Sequence, residues 1–355
     1  MSLMTKIYLD NNATTGLDAR VLEAMLPHLL PIPHNPSSTH SFGREAKAHL
    51  AKARASIAAN LGCTPAELIF TSSGSESMNT LIRGLYSGGT ILTTPLEHAC
   101  ILNTAKHFPV KYTSQEAIEA AISSDISLMV FSAVNGETGA LLDLEKVASL
   151  AEQHRKPLII DGVALLGRGA IKLYPGITAM GFSAHKIHGP KGVGLIYLKS
   201  GYKLNPLIAG GGQEHGLRAG TENLAGIVGF AKAIDLIDPA DFVHMERLRD
   251  YFEAHLPAIV NGAEIQRIGN VSNLAFPEMD GEVLLMQLDQ AGIAVSHGSA
   301  CASGGLEPSH VLTAMGYSKE RIRSSIRFSL SRTTTKDEID FTIKTLNSLC
   351  AKGPF

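Results

Sequence analysis

The sequence predicts an α/β fold, with a mostly parallel central sheet in a large domain and a smaller α+β domain. Three observations point there. Short apolar runs alternate with amphipathic stretches through the first half of the chain, the pattern of strands covered on both faces by helices. After Met180 the texture changes to Gly-rich, closely spaced pieces. And 355 residues with 45% hydrophobic content furnish enough core for one large domain or two ordinary ones.

In chain order, Phe42 to Leu61 reads as a helix because Ala46, Leu50, Ala53, Ile57 and Leu61 recur every three or four residues while Arg44, Lys47, Lys52 and Arg54 lie elsewhere. Leu68 to Thr71 reads as a buried strand, followed by a polar turn from Ser72 to Glu76 and a helical run through Met78, Leu81 and Ile82. Further strands are expected at Thr90 to Thr93, Leu128 to Ala133 and Leu158 to Asp161, with a helix from Asp143 to His154. Gly181 to Lys186 and Val193 to Leu198 read as two strands joined by the tight loop around Gly189-Pro190-Lys191-Gly192. Leu224 to Ile237 and Met245 to Val260 read as helices. Towards the end come a strand at Val271 to Phe276 and helices at Glu282 to Gln290 and Asp337 to Leu349. The expected division is a large domain over 15–250 and a small domain over 4–14 with 251–355. Met1-Ser2-Leu3 before a second Met4 reads as an added remnant and is set aside. No internal repeat or low-complexity tract interrupts the chain.

Composition narrows the function. With 31 basic and 33 acidic residues the net charge is −2, and no block of Lys or Arg gathers to grip a nucleic-acid backbone. The apolar runs are far shorter than the roughly 18 residues of a membrane span, and no charged-then-apolar leader opens the sequence. A soluble, cytoplasmic protein is expected. Cys63, Cys100, Cys301 and Cys350 lie far apart without a CxxC pair, which fits a reducing compartment and supplies no local zinc or dithiol motif.

Four local patterns carry chemistry. A strand running into Ser73-Gly74-Ser75 at a helix start offers backbone N–H groups and the positive helix end to a phosphate, or is an ordinary N-cap by Ser73 or Ser75. Lys186, in Ser183-Ala184-His185-Lys186, is either an amine freed for Schiff-base formation or a solvated hairpin lysine such as Lys191. Asp161 closes a buried strand, where a carboxylate needs a cation, a protonated pyridine nitrogen for instance, or serves as a turn cap. Cys301 sits among Ser296, His297, Gly298, Ser299, Ala300, Ala302, Ser303 and two glycines, which suggests an exposed mobile thiol, whereas the other cysteines lie in packing contexts. A metal held by His297 and Cys301 lacks further ligands at suitable spacing, so no metal is expected.

Together these segments resemble the NifS/IscS-like cysteine desulfurases, pyridoxal-phosphate enzymes of the class V aminotransferase group with the transferase fold type I. The resemblance runs from Tyr8-Leu9-Asp10-Asn11-Asn12-Ala13-Thr14-Thr15 through His34-Asn35-Pro36-Ser37-Ser38, Phe70 to Ser77, Glu97-His98, Asn135-Gly136-Glu137-Thr138-Gly139 and Ser183 to Gly192. It continues through Gly210-Gly211-Gly212-Gln213-Glu214, Arg218 to Thr221 and the Cys301 loop to Ser325-Ile326-Arg327-Phe328-Ser329, nearly the whole chain in order.

By that resemblance Lys186 holds pyridoxal 5'-phosphate covalently and later moves protons at the substrate carbon. His98 stacks on the cofactor ring and serves proton transfer, and Asp161 pairs with the ring nitrogen. Gly74, Ser75, Ser183 and His185 hold the phosphate, and Thr221 reaches the phosphate of the partner subunit in a homodimer. Asn135 and Arg327 fix the substrate carboxylate, for which a planar guanidinium is suited. Cys301 takes sulfur from L-cysteine as a persulfide and alanine leaves; a mobile loop suits a thiol that must visit the cofactor and then an acceptor protein such as an iron–sulfur scaffold.

Two departures stand out. Asp161-Gly162-Val163-Ala164 lacks the glutamine that relatives place three residues after the aspartate to meet the cofactor's phenolic oxygen, which implies a retained but perturbed cofactor. The sequence also ends soon after the final helix, where some relatives carry a tail that docks the scaffold. Within the fold the alternatives are a selenocysteine lyase or a class V enzyme for another amino acid; outside it, a catalytically weak sulfur-relay protein.

Overall fold

The computed structural model describes residues 6–30, 35–298 and 308–351. In chain order it forms β1 (Ile7–Tyr8), α1 (Ala19–Met25), α2 (Ser41–Leu61), β2 (Leu68–Thr71), α3 (Gly74–Leu85), β3 (Thr90–Thr93), α4 (Ala99–Ala105), β4 (Val110–Tyr112), α5 (Ile118–Ala121) and β5 (Ile126–Ser132). There follow α6 (Leu144–Gln153), β6 (Leu158–Asp161), β7 (Ala179–Ser183), β8 (Gly194–Leu198), α7 (Leu224–Asp235), α8 (Pro239–Ala254) and β9 (Ile259–Val260). The remainder is β10 (Val271–Ala275), α9 (Gly281–Gln290), β11 (Ile293–Ala294), α10 (His310–Ala314), α11 (Lys319–Arg323), β12 (Ser325–Ser329) and α12 (Lys336–Cys350).

Two compact units emerge. The larger comprises Gly16–Ala133 and Leu142–Ile237; the smaller comprises the described residues of Met1–Thr15, Val134–Leu141 and Asp238–Phe355. The larger unit is built on a seven-stranded sheet of order β2-β8-β7-β6-β5-β3-β4. Only β8 runs against the others: β2 and β7 each pair with it antiparallel, and the remaining pairs are parallel. The carboxyl ends of β2, β3, β5, β6 and β7 therefore share one edge, where ligands of such sheets collect.

Apolar runs such as Leu128–Phe131 and Leu158–Ile160 are continuous because both faces of these strands are buried. Ile69, Ile91, Val130, Ile159 and Ile196 pack with Met78, Leu81 and Ile82 of α3. Each such side chain contributes about 1.5–3 kcal/mol of burial. Helix α2 ends where Gly62 adopts φ 73°, its N–H returning to the carbonyls of Ala58 and Ala59, a left-handed cap that glycine takes without strain.

The smaller unit pairs β10 antiparallel with β9 and β12, and β1 parallel with β11. The expected helix from Met245 to Val260 is displaced: α8 starts at Pro239 behind the Asp238 cap and ends at Ala254, while Ile259–Val260 is a strand on β10. The apolar Ile259 and Val260 extend the helical pattern in sequence but pair across the sheet instead. The expected domain boundary at 250 shifts with that helix, because Met245, Leu248 and Phe252 join the core of Leu9, Leu274 and Phe328. The segment 134–141 joins the same unit by antiparallel bridges from Val134 to Leu141 and from Ala140 to Arg267.

The Gly-rich motif ending in Glu214 has a structural task. Glu214 is buried and accepts from Arg54 Nη1 at 3.0 Å and from the Phe70 amide at 2.8 Å, fastening α2 to β2. Glu214→Ala strands the Arg54 charge and is expected to destabilise the chain by about 3–5 kcal/mol in urea unfolding, with Arg54→Met/Glu214→Leu recovering much of the loss.

Candidate active site

At the carboxyl edge of the large sheet, β2 runs through Ser72 and Ser73 into α3. Ser73 is the N-cap: its Oγ accepts the Glu76 amide at 3.1 Å, settling the choice between Ser73 and Ser75. Arg218 donates through Nε to Glu76 at 2.9 Å and so anchors the Arg218–Thr221 segment to this turn. A Cβ on Gly74 would lie 2.6 Å from Val163 Cγ2 and 3.5 Å from Ser183 Cβ, so only glycine lets the helix start approach both neighbours. The Ser183 hydroxyl, at the end of β7, is buried with no hydrogen-bond partner among the described residues. An orphaned hydroxyl beside the first amides of a helix, where the dipole is positive, fits a phosphate.

Lys186 follows in a 3-10 turn, Ala184–Lys186, closed by the Ile187 amide on the Ala184 carbonyl at 3.1 Å. The side chain is half-buried, and Arg168 Nη2 reaches the Lys186 carbonyl at 3.3 Å. Burial and the charges of Lys186, Lys191 and Arg168 lower His185 to about 4, leaving a neutral imidazole at physiological pH. Asp161, fully enclosed at the end of β6, is pushed up by burial, against the pull of His98, the Val163 amide at 2.9 Å and Lys186. One Asp161 oxygen takes the Val163 amide, as a turn cap does, and the carboxyl lies near His98 and Lys186. His98 caps α4, its Nδ1 accepting the Cys100 amide at 3.1 Å. The chemistry of this set fits a pyridine ring carrying a phosphate, with an acid for the ring nitrogen and an amine for an aldehyde. Thr221 lies exposed on the loop before α7, and among the described residues no hydrogen bond ties it to the set.

In the smaller unit, Asn135 Oδ1 accepts from the Glu137 and Thr138 amides, both at 2.9 Å, and from the Thr138 hydroxyl at 3.1 Å. These bonds fix the carboxamide so that its nitrogen is the donor side. Arg327, on β12, is 3% exposed. Its Nη2 binds Asp10 Oδ1 at 2.7 Å, its Nη1 binds the Gly136 carbonyl at 3.3 Å, and its buried Nε has no hydrogen-bond partner among the described residues. The expected carboxylate receptor thus already carries one internal anion, Asp10, which sequence reading quoted without a role. Burial pushes the Glu137 carboxyl up, against the pull of a hydrogen bond from Ser309 and the charges of Arg327, His310 and His297. Cys301 lies outside the described residues; before it, Ser296 exchanges backbone hydrogen bonds with Arg327 at 3.2 and 2.8 Å. Arg168 was likewise missed, since nothing in its local spacing marks it, and Glu97 was quoted within the Glu97-His98 motif without a role.

Residues 7–341 match the Aminotransferase class-V family. The chain is 39% identical to the cysteine desulfurase of Trichormus azollae, over 99% of this chain and 96% of that protein. It is 41% identical to the cysteine desulfurase of Klebsiella pneumoniae, over 97% and 92%. Among solved structures it resembles a NifS-like protein with TM-score 0.91 and 34% identity, over 98% of this chain and 100% of that one. The structure described as SspA in complex with cysteine matches with TM-score 0.83 and 31% identity, over 93% and 100%. With the cofactor-fitting edge of its sheet in place, the chain belongs to the class V aminotransferase family, among the cysteine desulfurases.

Proposed function

We propose that this chain converts L-cysteine to L-alanine with pyridoxal 5'-phosphate and passes the sulfur to Cys301 as a persulfide. The observation that carries this reading is Asp161, a carboxyl enclosed at a strand end and facing Lys186 and His98. The cofactor, when bound, supplies an electron sink for charge developing at the substrate α carbon. Gly74, Ser75, Ser183 and His185 would hold its phosphate and Lys186 its aldehyde carbon; Asp161 would keep the proton on the ring nitrogen, and His98 would cover the ring. Lys186 and His98 would then move protons at the substrate. Asn135 and Arg327 would orient the substrate carboxylate. Overall, L-cysteine and the Cys301 thiol give L-alanine and Cys301–S–SH: the substrate C–S bond breaks, an S–S bond forms, and no external oxidant is needed.

The acceptor of that sulfur is proposed to be another protein, such as an iron–sulfur scaffold, and the enzyme a homodimer in which Thr221 reaches the partner's phosphate. A reducing cytoplasm is the proposed location. Among the described residues no helix is long and apolar enough to cross a membrane.

The direct test is turnover of L-cysteine by the reconstituted protein with dithiothreitol as acceptor. Alanine and sulfide in equal amounts are expected; alanine without sulfide would defeat the assignment. The phosphate site has its own prediction. Ser183→Ala removes one donor to a charged group, worth about 1.5–3 kcal/mol, so cofactor affinity measured by absorbance titration should fall roughly ten- to a hundredfold.

A further inference from the structure

One buried carboxyl at the cofactor edge is unused by these assignments. Glu97 is 3% exposed and lies between the end of β3 and His98. Its Oε1 accepts the Thr94 hydroxyl at 2.7 Å and its Oε2 accepts the Ser132 amide at 2.7 Å. Thr94 Oγ1 also accepts the Leu96 amide at 3.2 Å. Ser132 ends β5 and is the register partner of Asp161 on β6. One side chain therefore ties the loop presenting His98 to the strand end beside Asp161.

Two carboxyls enclosed this closely do not both ionise cheaply. Burial pushes Glu97 up to about 7; the bonds from Ser132 and Thr94 oppose that push, and the Asp161 carboxyl adds to it. Burial pushes Asp161 up as well, opposed by His98, the Val163 amide and Lys186.

We propose that Glu97 is a positioning residue for the cofactor face: through Thr94 and the Ser132 amide it braces the His98 loop against the end of β5, beside Asp161. The proposal rests on reading Asp161 and His98 as cofactor contacts. Glutamine can keep both anchors, since its oxygen can accept from Ser132 and its amide can donate to Thr94. Alanine removes both anchors.

A raised carboxyl binds more protons in the folded than in the unfolded chain between the ordinary glutamate value and about 7. Folding stability therefore falls as pH rises through that window. In urea unfolding of the full chain, the midpoint of Glu97→Gln should decline less than that of the wild type from about pH 5 to 8. Cofactor affinity, read by absorbance titration at pH 7, should stay within about twofold of wild type in Glu97→Gln and fall about tenfold or more in Glu97→Ala. Should Glu97→Ala not fold, Thr94→Val removes one anchor and should weaken the cofactor about threefold, with a shift of the His98 imidazole resonances. Identical pH trends in wild type and Glu97→Gln, or undiminished affinity in the anchor variants, would overturn the proposal. Asp161→Asn and His98→Ala serve as controls: if they too leave affinity unchanged, the cofactor-face reading itself fails, and if they alone weaken it, only the role of Glu97 does.

Discussion

Lys186→Ala is expected to lower L-cysteine turnover about ten-thousandfold, because the amine proposed to hold the cofactor and to move the substrate proton is lost in one step. The backbone gives no reason for collapse. The turn is closed by Ile187 on Ala184, and Arg168 grips the carbonyl of Lys186 rather than its side chain. The variant should therefore fold, with an unfolding midpoint near that of wild type. It should still bind pyridoxal phosphate through Ser183, the start of α3 and Asp161, though without the covalent hold. Added ethylamine should restore part of the turnover by supplying a free amine. A variant that is folded, cofactor-loaded and still fast would show that Lys186 is a bystander.

Arg327→Ala is the second large effect. Truncating one member of a buried hydrogen-bonded charge pair costs about 2–5 kcal/mol, so kcat/KM for L-cysteine should fall roughly a hundred- to a thousandfold, chiefly through KM. Removing the guanidinium also strands Asp10, whose only ion pair among the described residues is the 2.7 Å contact with Arg327. Stability should drop by about 3–5 kcal/mol. These two losses separate in the double variant. Asp10→Asn with Arg327→Ala should regain stability and leave KM high, because the stranded charge is gone while the proposed carboxylate receptor is still missing. Arg327→Lys should keep part of the charge attraction and lose the planar, multi-donor geometry, falling between the two. Equal stability and KM in all three variants would refute both roles.

The large sheet was legible because its strands are largely buried on both faces, so short apolar stretches such as Leu68–Phe70, Ile91–Leu92 and Leu158–Ile160 mark β2, β3 and β6. The start of α8 was not, although Asp238-Pro239 is a cap followed by a first-turn proline, because apolar Ile259 and Val260 drew the helical pattern towards the carboxyl side. The cofactor edge was legible by motif, and its local geometry follows from short-range features: a serine cap, a glycine at close approach, a tight turn. What spacing cannot reveal is pairing across the chain. Asp10 meets Arg327 from 317 positions away, and Arg54 meets Glu214 from 160, so each ion pair exists only once the sheet has formed. Glu97 is a subtler case: it sat inside a recognised motif, yet its task depends on Ser132 and Asp161 being register partners on adjacent strands.

The most direct test of sulfur transfer to this chain is intact-protein mass spectrometry of the reconstituted protein after L-cysteine, without reductant, beside Cys301→Ser. One added sulfur on the wild-type chain, removed by reduction and absent from the variant, is the expected result. Cofactor-loaded wild type that gains no sulfur, or a Cys301→Ser chain that gains as much, would contradict the assignment of Cys301 as the persulfide carrier.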